Sequence, residues 1–164
     1  MQGGARVQGG LLALVLAQLE AGGAHTRLVD LARLPADALL GRGNAPEVTA
    51  ALDAVTAARV VIAGTPVYRA TYSGLLKVFF DLLPQDSLVG KIGLAVVTGH
   101  GSAHSLAVDH GLRPLFASLG ATVVPSGVYG TSEQFEDGRP APDLLRAVDR
   151  AVREAIVFAS APIE

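Results

Sequence analysis

Two stretches, RVVIAG over 59–64 and KIGLAVVTG over 91–99, are unbroken runs of apolar, strand-forming residues. A strand with one face in water alternates apolar and polar side chains, and neither stretch does so. Runs of this kind belong to parallel strands covered on both faces. Parallel strands cannot be joined by tight hairpins and need long crossovers, usually helical. The chain supplies helix-length segments at 8–21, 46–58, 72–83, 103–119 and 142–159, with glycine stop signals in LEAGG and SLGA. Weaker strand patterns lie in HTRLVDL (25–31) and in ATVVPSGVYG (121–130), where Pro125 marks an interruption or a bend. Strand and helix alternate throughout, which predicts an α/β fold built on a doubly wound parallel sheet with right-handed crossovers. Residues 1–164 read as a single domain.

The opening of the chain departs from that scheme. MQGGARVQGG leads straight into the first helix pattern with no apolar strand before it. The expectation is a sheet lacking its first strand, in a chain truncated at its N-terminus. Arg6 followed by LLALVLA (11–17) has the look of a short signal sequence, but Gln18 and Glu20 break the run. A buried helix is the reading adopted. No stretch approaches the roughly 20 apolar residues of a membrane span. With half its residues apolar and 17% charged, the chain is not a disordered one. The formal net charge of −2, scattered along the sequence, gives no basic stripe for nucleic acid. Cysteine is absent, which removes disulfides, thiolate nucleophiles and Cys-ligated metals and suits a reducing cytoplasm.

Ligands of open α/β sheets sit beyond the carboxyl ends of the strands. The segments in that place are GTPVYRATYSG (64–74) and TGHGSAH (98–104). The first holds two of the chain's three tyrosines. Its Pro66 fixes φ, and Thr71 or Ser73 is placed to cap the next helix. The second gathers glycines, histidines and hydroxyls. Two such loops side by side suit a planar ligand lying between them.

GTPVYRATYSGLLKVFFDLLPQDSLVGK, then TGHGSAHSLAVDHGLRPLFASLGA, then GVYG, resembles the NAD(P)H-dependent FMN reductases of the sulfonate-utilisation type. The resemblance runs from about Val60 to Tyr129. It implies a flavodoxin-like fold with strand order 2-1-3-4-5. It also implies reduction of FMN by NADPH or NADH, often for a partner monooxygenase, in a homodimer or homotetramer located in the cytoplasm. Carried over by residue, Thr65, Pro66, Val67 and Tyr68 would address one edge of the isoalloxazine. Thr98, Gly99, His100 and Gly101 would form the other flavin-facing loop, although relatives usually have a small residue where His100 stands. His110 falls where some relatives carry a tyrosine in an inserted π-type turn.

The phosphate loop departs most from the family pattern. Over its end stands ARVQG (5–9), which keeps Arg6 as a phosphate ligand and lacks the serines and threonine of relatives. Charge-assisted hydrogen bonds are worth ~1.5–3 kcal/mol each. Losing three of them weakens binding by roughly 5 kcal/mol. No catalytic side chain is expected, because the flavin carries the chemistry. Other readings are an FMN-bound quinone, azo or metal reductase, and a non-catalytic oligomerising domain built on the apolar segment 73–83. A metal set of His100, His104, Asp109 and His110, and a hydrolase using Ser73 or Ser102, are weaker still.

Overall fold

The computed structural model describes residues 2–136 and 139–161, with side chains over 7–135 and 139–161. Its centre is a parallel sheet. Strand β1 (Val60–Pro66) pairs with β2 (Ile92–Gly99) in unbroken register from Val60↔Ile92 to Pro66↔Thr98. The other edge of β2 is taken first by β3 (Thr122–Val123) and then by β4 (Val128–Thr131), both parallel. These two behave as one strand broken at Val124, Pro125, Ser126 and Gly127, where the expected interruption falls. Val124 still donates to the carbonyl of Gly93 at 3.0 Å, and Pro125 has no N–H with which to continue. A small antiparallel pair, β5 (Phe135–Glu136) and β6 (Arg139–Pro140), lies apart from the main sheet.

Helices cover both faces, as the apolar runs require. Helices α1 (Gln2–Ala21) and α6 (Pro142–Ser160) lie on one face. There Leu11, Val15 and Leu19 meet Leu144, Val148 and Val152 over Ile92, Leu94 and Val96. The other face carries α3 (Pro46–Ala57), α4 (Gly74–Asp81) and α5 (Arg113–Ala117), with a short α2 (Ala36–Leu39) beside them. Leu76, Phe79, Phe80 and Phe116 pack there on Val61, Ala63, Ala95 and Val97. The rings of Phe80 and Phe116 meet edge-on, 5.6 Å apart. The sheet is therefore doubly wound and flavodoxin-like. Among the described residues no helix is long and apolar enough to cross a membrane.

Three expectations need correction. The segment 25–31 is not a strand: 24–30 runs without regular structure, and Leu31–Arg33 forms a single 3-10 turn. In the expected strand order its neighbour is the first strand, and among the described residues β1 has no strand on its outer edge. With nothing to pair with, the segment leaves Leu28 61% exposed. Second, α1 begins at Gln2 and not at Gln8, so 5–9, set against the end of the phosphate loop, is helical. Third, 103–119 is not one helix; a 3-10 turn, a π turn and α5 divide it.

Arg59, just before β1, closes the end of the sheet opposite the loops. Its guanidinium donates to the carbonyls of Ala159 and Ala161 at 3.1 and 2.8 Å and to that of Gly90 at 3.0 Å. These bonds satisfy carbonyls at the end of α6 and tie it to the turn before β2. Solvent exposure keeps the total modest. Arg59→Ala is expected to lower stability by about 1–2 kcal/mol in urea denaturation with the slope unchanged.

Candidate functional site

The carboxyl ends of β1, β2 and β4 open at one end of the sheet, and the loop after β1 is the most constrained segment there. Val67 donates its N–H to the carbonyl of Thr98 at 2.7 Å, carrying the β1–β2 pairing one step past the strand. Tyr68 and Thr71 then exchange both backbone bonds, at 2.8 and 3.3 Å. Between them Arg69 and Ala70 have φ of 51° and 70°. Both central residues of this tight turn are left-handed, a conformation normally given to glycine or asparagine. Thr65 is fully buried. Its hydroxyl donates to the carbonyl of Pro66 at 3.0 Å and accepts from the N–H of Ser73 at 2.9 Å. Ser73, rather than Thr71, caps α4 by accepting from Leu76. Thr65 thus holds the loop from inside, while Tyr68 stands 44% exposed at its tip.

The second loop leaves β2 at Thr98. The Thr98 hydroxyl donates to the side-chain oxygen of Gln8 at 2.8 Å, and both residues are buried. Gln8 also reaches the carbonyl of Val96, at 3.5 Å. A single residue, Thr98, therefore joins α1, the loop after β1 and the loop after β2. His100 is exposed, and a side-chain carbon added to Gly101 would point into open space. Ser102–His104 forms a 3-10 turn, and then comes a π turn over Val108–Leu112 that contains His110. This is the inserted turn that the resemblance implied. His110 is exposed on it, while Gly111 faces the first loop. A Cβ at Gly111 would lie 2.8 Å from the Thr71 hydroxyl and 3.2 Å from the Tyr72 ring, so glycine is needed for the turn to press against that loop.

Of the residues expected at a site, Pro66, Val67, Tyr68, Thr98, Gly99, His100 and Gly101 come together on the two loops, with Thr65 beneath them and His110 on the adjoining turn. Arg6 lies in α1, and its side chain falls outside the described residues. Its helix overhangs the strand ends, since Gln8 is level with Thr98 and each further residue adds about 1.5 Å. Among the described residues His100, His104, Asp109 and His110 do not assemble into a metal-holding cluster.

Two residues escaped sequence reasoning. Gln8 shares the buried stripe of Leu11, Val15 and Leu19, and a polar residue on that stripe was its signal. Tyr129 on β4 donates its phenol to the carbonyl of Gly101 at 2.6 Å. The third tyrosine of the chain, at the end of the third strand position, was the available clue. Burial raises its pKa above the ordinary 10.0, so the donor proton is retained at neutral pH. Tyr129 also lines a cavity of about 350 Å³, together with Val108, Asp109, Arg113, Ser126 and Arg150.

The fold defines a flavodoxin-like protein, with exposed Tyr68 and the open space beside Gly101 at the carboxyl ends of its parallel strands. Comparison with known proteins agrees. The family described as "NADPH-dependent FMN reductase" matches residues 4–136. The chain is 39% identical over 128 residues to "FMN reductase (NADPH)" of Pseudomonas aeruginosa, covering 77% of this chain and 68% of that one. It is 41% identical over 128 residues to "NADH-dependent FMN reductase SfnF" of Pseudomonas fluorescens, with the same coverage. Among solved structures, the apo form of an NADH:FMN oxidoreductase (EMOB) superposes with a TM-score of 0.80 at 35% identity, covering 93% of this chain and 80% of that one. An oxidoreductase from Corynebacterium diphtheriae gives 0.77 at 30%, covering 95% and 88%. The chain belongs to the NADPH-dependent FMN reductase family, a family of oxidoreductase enzymes.

The left-handed pair gives a direct test of how the first loop is held. Each non-glycine residue in that region costs about 1 kcal/mol or more, which Asn-Gly relieves. Arg69→Asn combined with Ala70→Gly is expected to raise stability by about 1 kcal/mol, read as a higher thermal midpoint.

Proposed function

We propose that the crevice between the two loops is where the reaction of the family, reduction of FMN by NADPH or NADH, takes place in this chain. Pro66, Val67 and Tyr68 address one edge of the isoalloxazine through backbone groups, and Thr98, Gly99, His100 and Gly101 address the other. The observation that carries this reading is the Val67–Thr98 bond, which presets both loops at the ends of paired parallel strands. The flavin supplies the chemistry, accepting at N5 the hydride of the nicotinamide while a proton is taken from solvent. The protein holds the rings and limits water. Tyr68 flanks the opening, and the π turn with His110 closes its far side. Arg6, carried past the strand ends by α1, takes the phosphate, with the amides at the start of α1 beside it.

In the same reading the 164 residues act as one unit around β2. Assembly as a homodimer or homotetramer is supported by exposed Tyr68, Leu75 and Leu106 on segments bordering the crevice. A monooxygenase receiving reduced FMN, in the cytoplasm, completes the proposal. A reductase that keeps FMN and passes electrons to a quinone is separated from it by steady-state kinetics.

Titration with FMN is expected to give saturable quenching of flavin fluorescence, and NADPH or NADH oxidation should rise with added FMN. Oxidation driven by quinone and indifferent to excess FMN would favour the other reductase, and no flavin binding would remove both. Because backbone groups dominate, Tyr68→Ala should weaken FMN binding by roughly fivefold or less. Complete loss would make the ring itself the platform.

A further inference from the structure

We propose that Tyr129 is a positioning residue for the flavin-facing loop, its phenol and ring fixing the backbone at Gly99–Gly101 from the neighbouring strand. The proposal rests on the reading of this crevice as the flavin site. Tyr129 pairs with Val97 across β4 and β2, so its side chain starts a full step below the loop that it reaches. Its phenol donates to the carbonyl of Gly101 at 2.6 Å. On the way the ring lies against Gly99 so closely that a Cβ there would sit 1.8 Å from the phenol oxygen and 2.8 Å from the carbon bearing it. Gly99 has no side chain for that reason: the ring of Tyr129 occupies the space.

The contact orients two peptide groups. Holding the Gly101 carbonyl inward directs the following peptide, and pressing on Gly99 sets the height of the backbone beneath His100. Both lie on the wall assigned to the flavin. The first loop is held by its own turn and by Thr65, whereas the second continues into a 3-10 turn that no side chain caps at Gly101. An external brace is what such a loop needs, and the phenol supplies it. Deprotonation does not compromise the brace at neutral pH, since a phenol keeps its proton there and burial raises its pKa further.

Hydrogen exchange of the free protein and FMN titration of the same variants test this. Tyr129→Phe keeps the ring and removes the donor. Amides of 99–102 should exchange about fivefold faster, and FMN should bind roughly three- to tenfold more weakly. Gly99→Ala drives the methyl into the ring and should also weaken FMN binding, by tenfold or more. Combined with Tyr129→Phe, its loss should be smaller than the product of the two single losses, because both act through one contact. Exchange at 99–102 unchanged in Tyr129→Phe overturns the proposal, as do singles that simply multiply. Faster exchange without any flavin binding by the wild-type protein would uphold the brace and overturn the flavin reading. Should Tyr129→Phe fail to fold, Gly99→Ala reads the same contact from the other side, and normal exchange and FMN affinity in it overturn the proposal.

Discussion

The N–H of Val67 donates to the carbonyl of Thr98, and the position of the whole crevice follows from that bond. It lies one step beyond the last residue pair of β1 and β2, where the chain must leave the sheet. Because it still belongs to the ladder, the loop starts with its backbone set by the sheet and not by solvent. The Thr98 hydroxyl then reaches Gln8, so the same residue fixes α1 over the strand ends. Three segments that could otherwise move separately share one anchor. Thr65 and the Tyr68–Thr71 turn extend the order outward along the first loop, and the Gly111 contact brings the π turn against it.

This arrangement suits a protein whose cofactor carries the reaction. Hydride transfer between two bound ring systems requires no nucleophile paired with a base. What is required is a rigid, narrow slot, and the materials are backbone amides, glycines and a few flat side chains. The left-handed Arg69 and Ala70 indicate how much the surrounding bonds enforce, since neither residue favours that conformation alone. Strain held in this loop is tolerated because the core beneath it is continuous on both faces of β2.

The parallel sheet was legible in RVVIAG and KIGLAVVTG, because burial on both faces leaves an unmistakable apolar run. Pro125 marked the break between β3 and β4 through its missing N–H. The loops themselves were legible by position. What failed was whatever depended on a distant partner. HTRLVDL has a strand's composition, but a strand exists only as a pair, and among the described residues β1 presents no neighbour for it to reach. The resemblance set ARVQG over the end of a phosphate loop, yet the segment is helical, with Gln8 buried against Thr98 and Val96. Tyr129 was hidden for the same reason: its role lies in a bond across 28 residues of sequence, to a loop on another strand.

The account stands on where the flavin sits. Backbone amide spectra recorded during FMN addition locate it directly. The account predicts shifts concentrated at Val67, Tyr68, Gly99, His100 and Gly101, with smaller ones along 108–112. Shifts centred on the cavity of Arg113, Ser126 and Arg150, leaving both loops undisturbed, would contradict it.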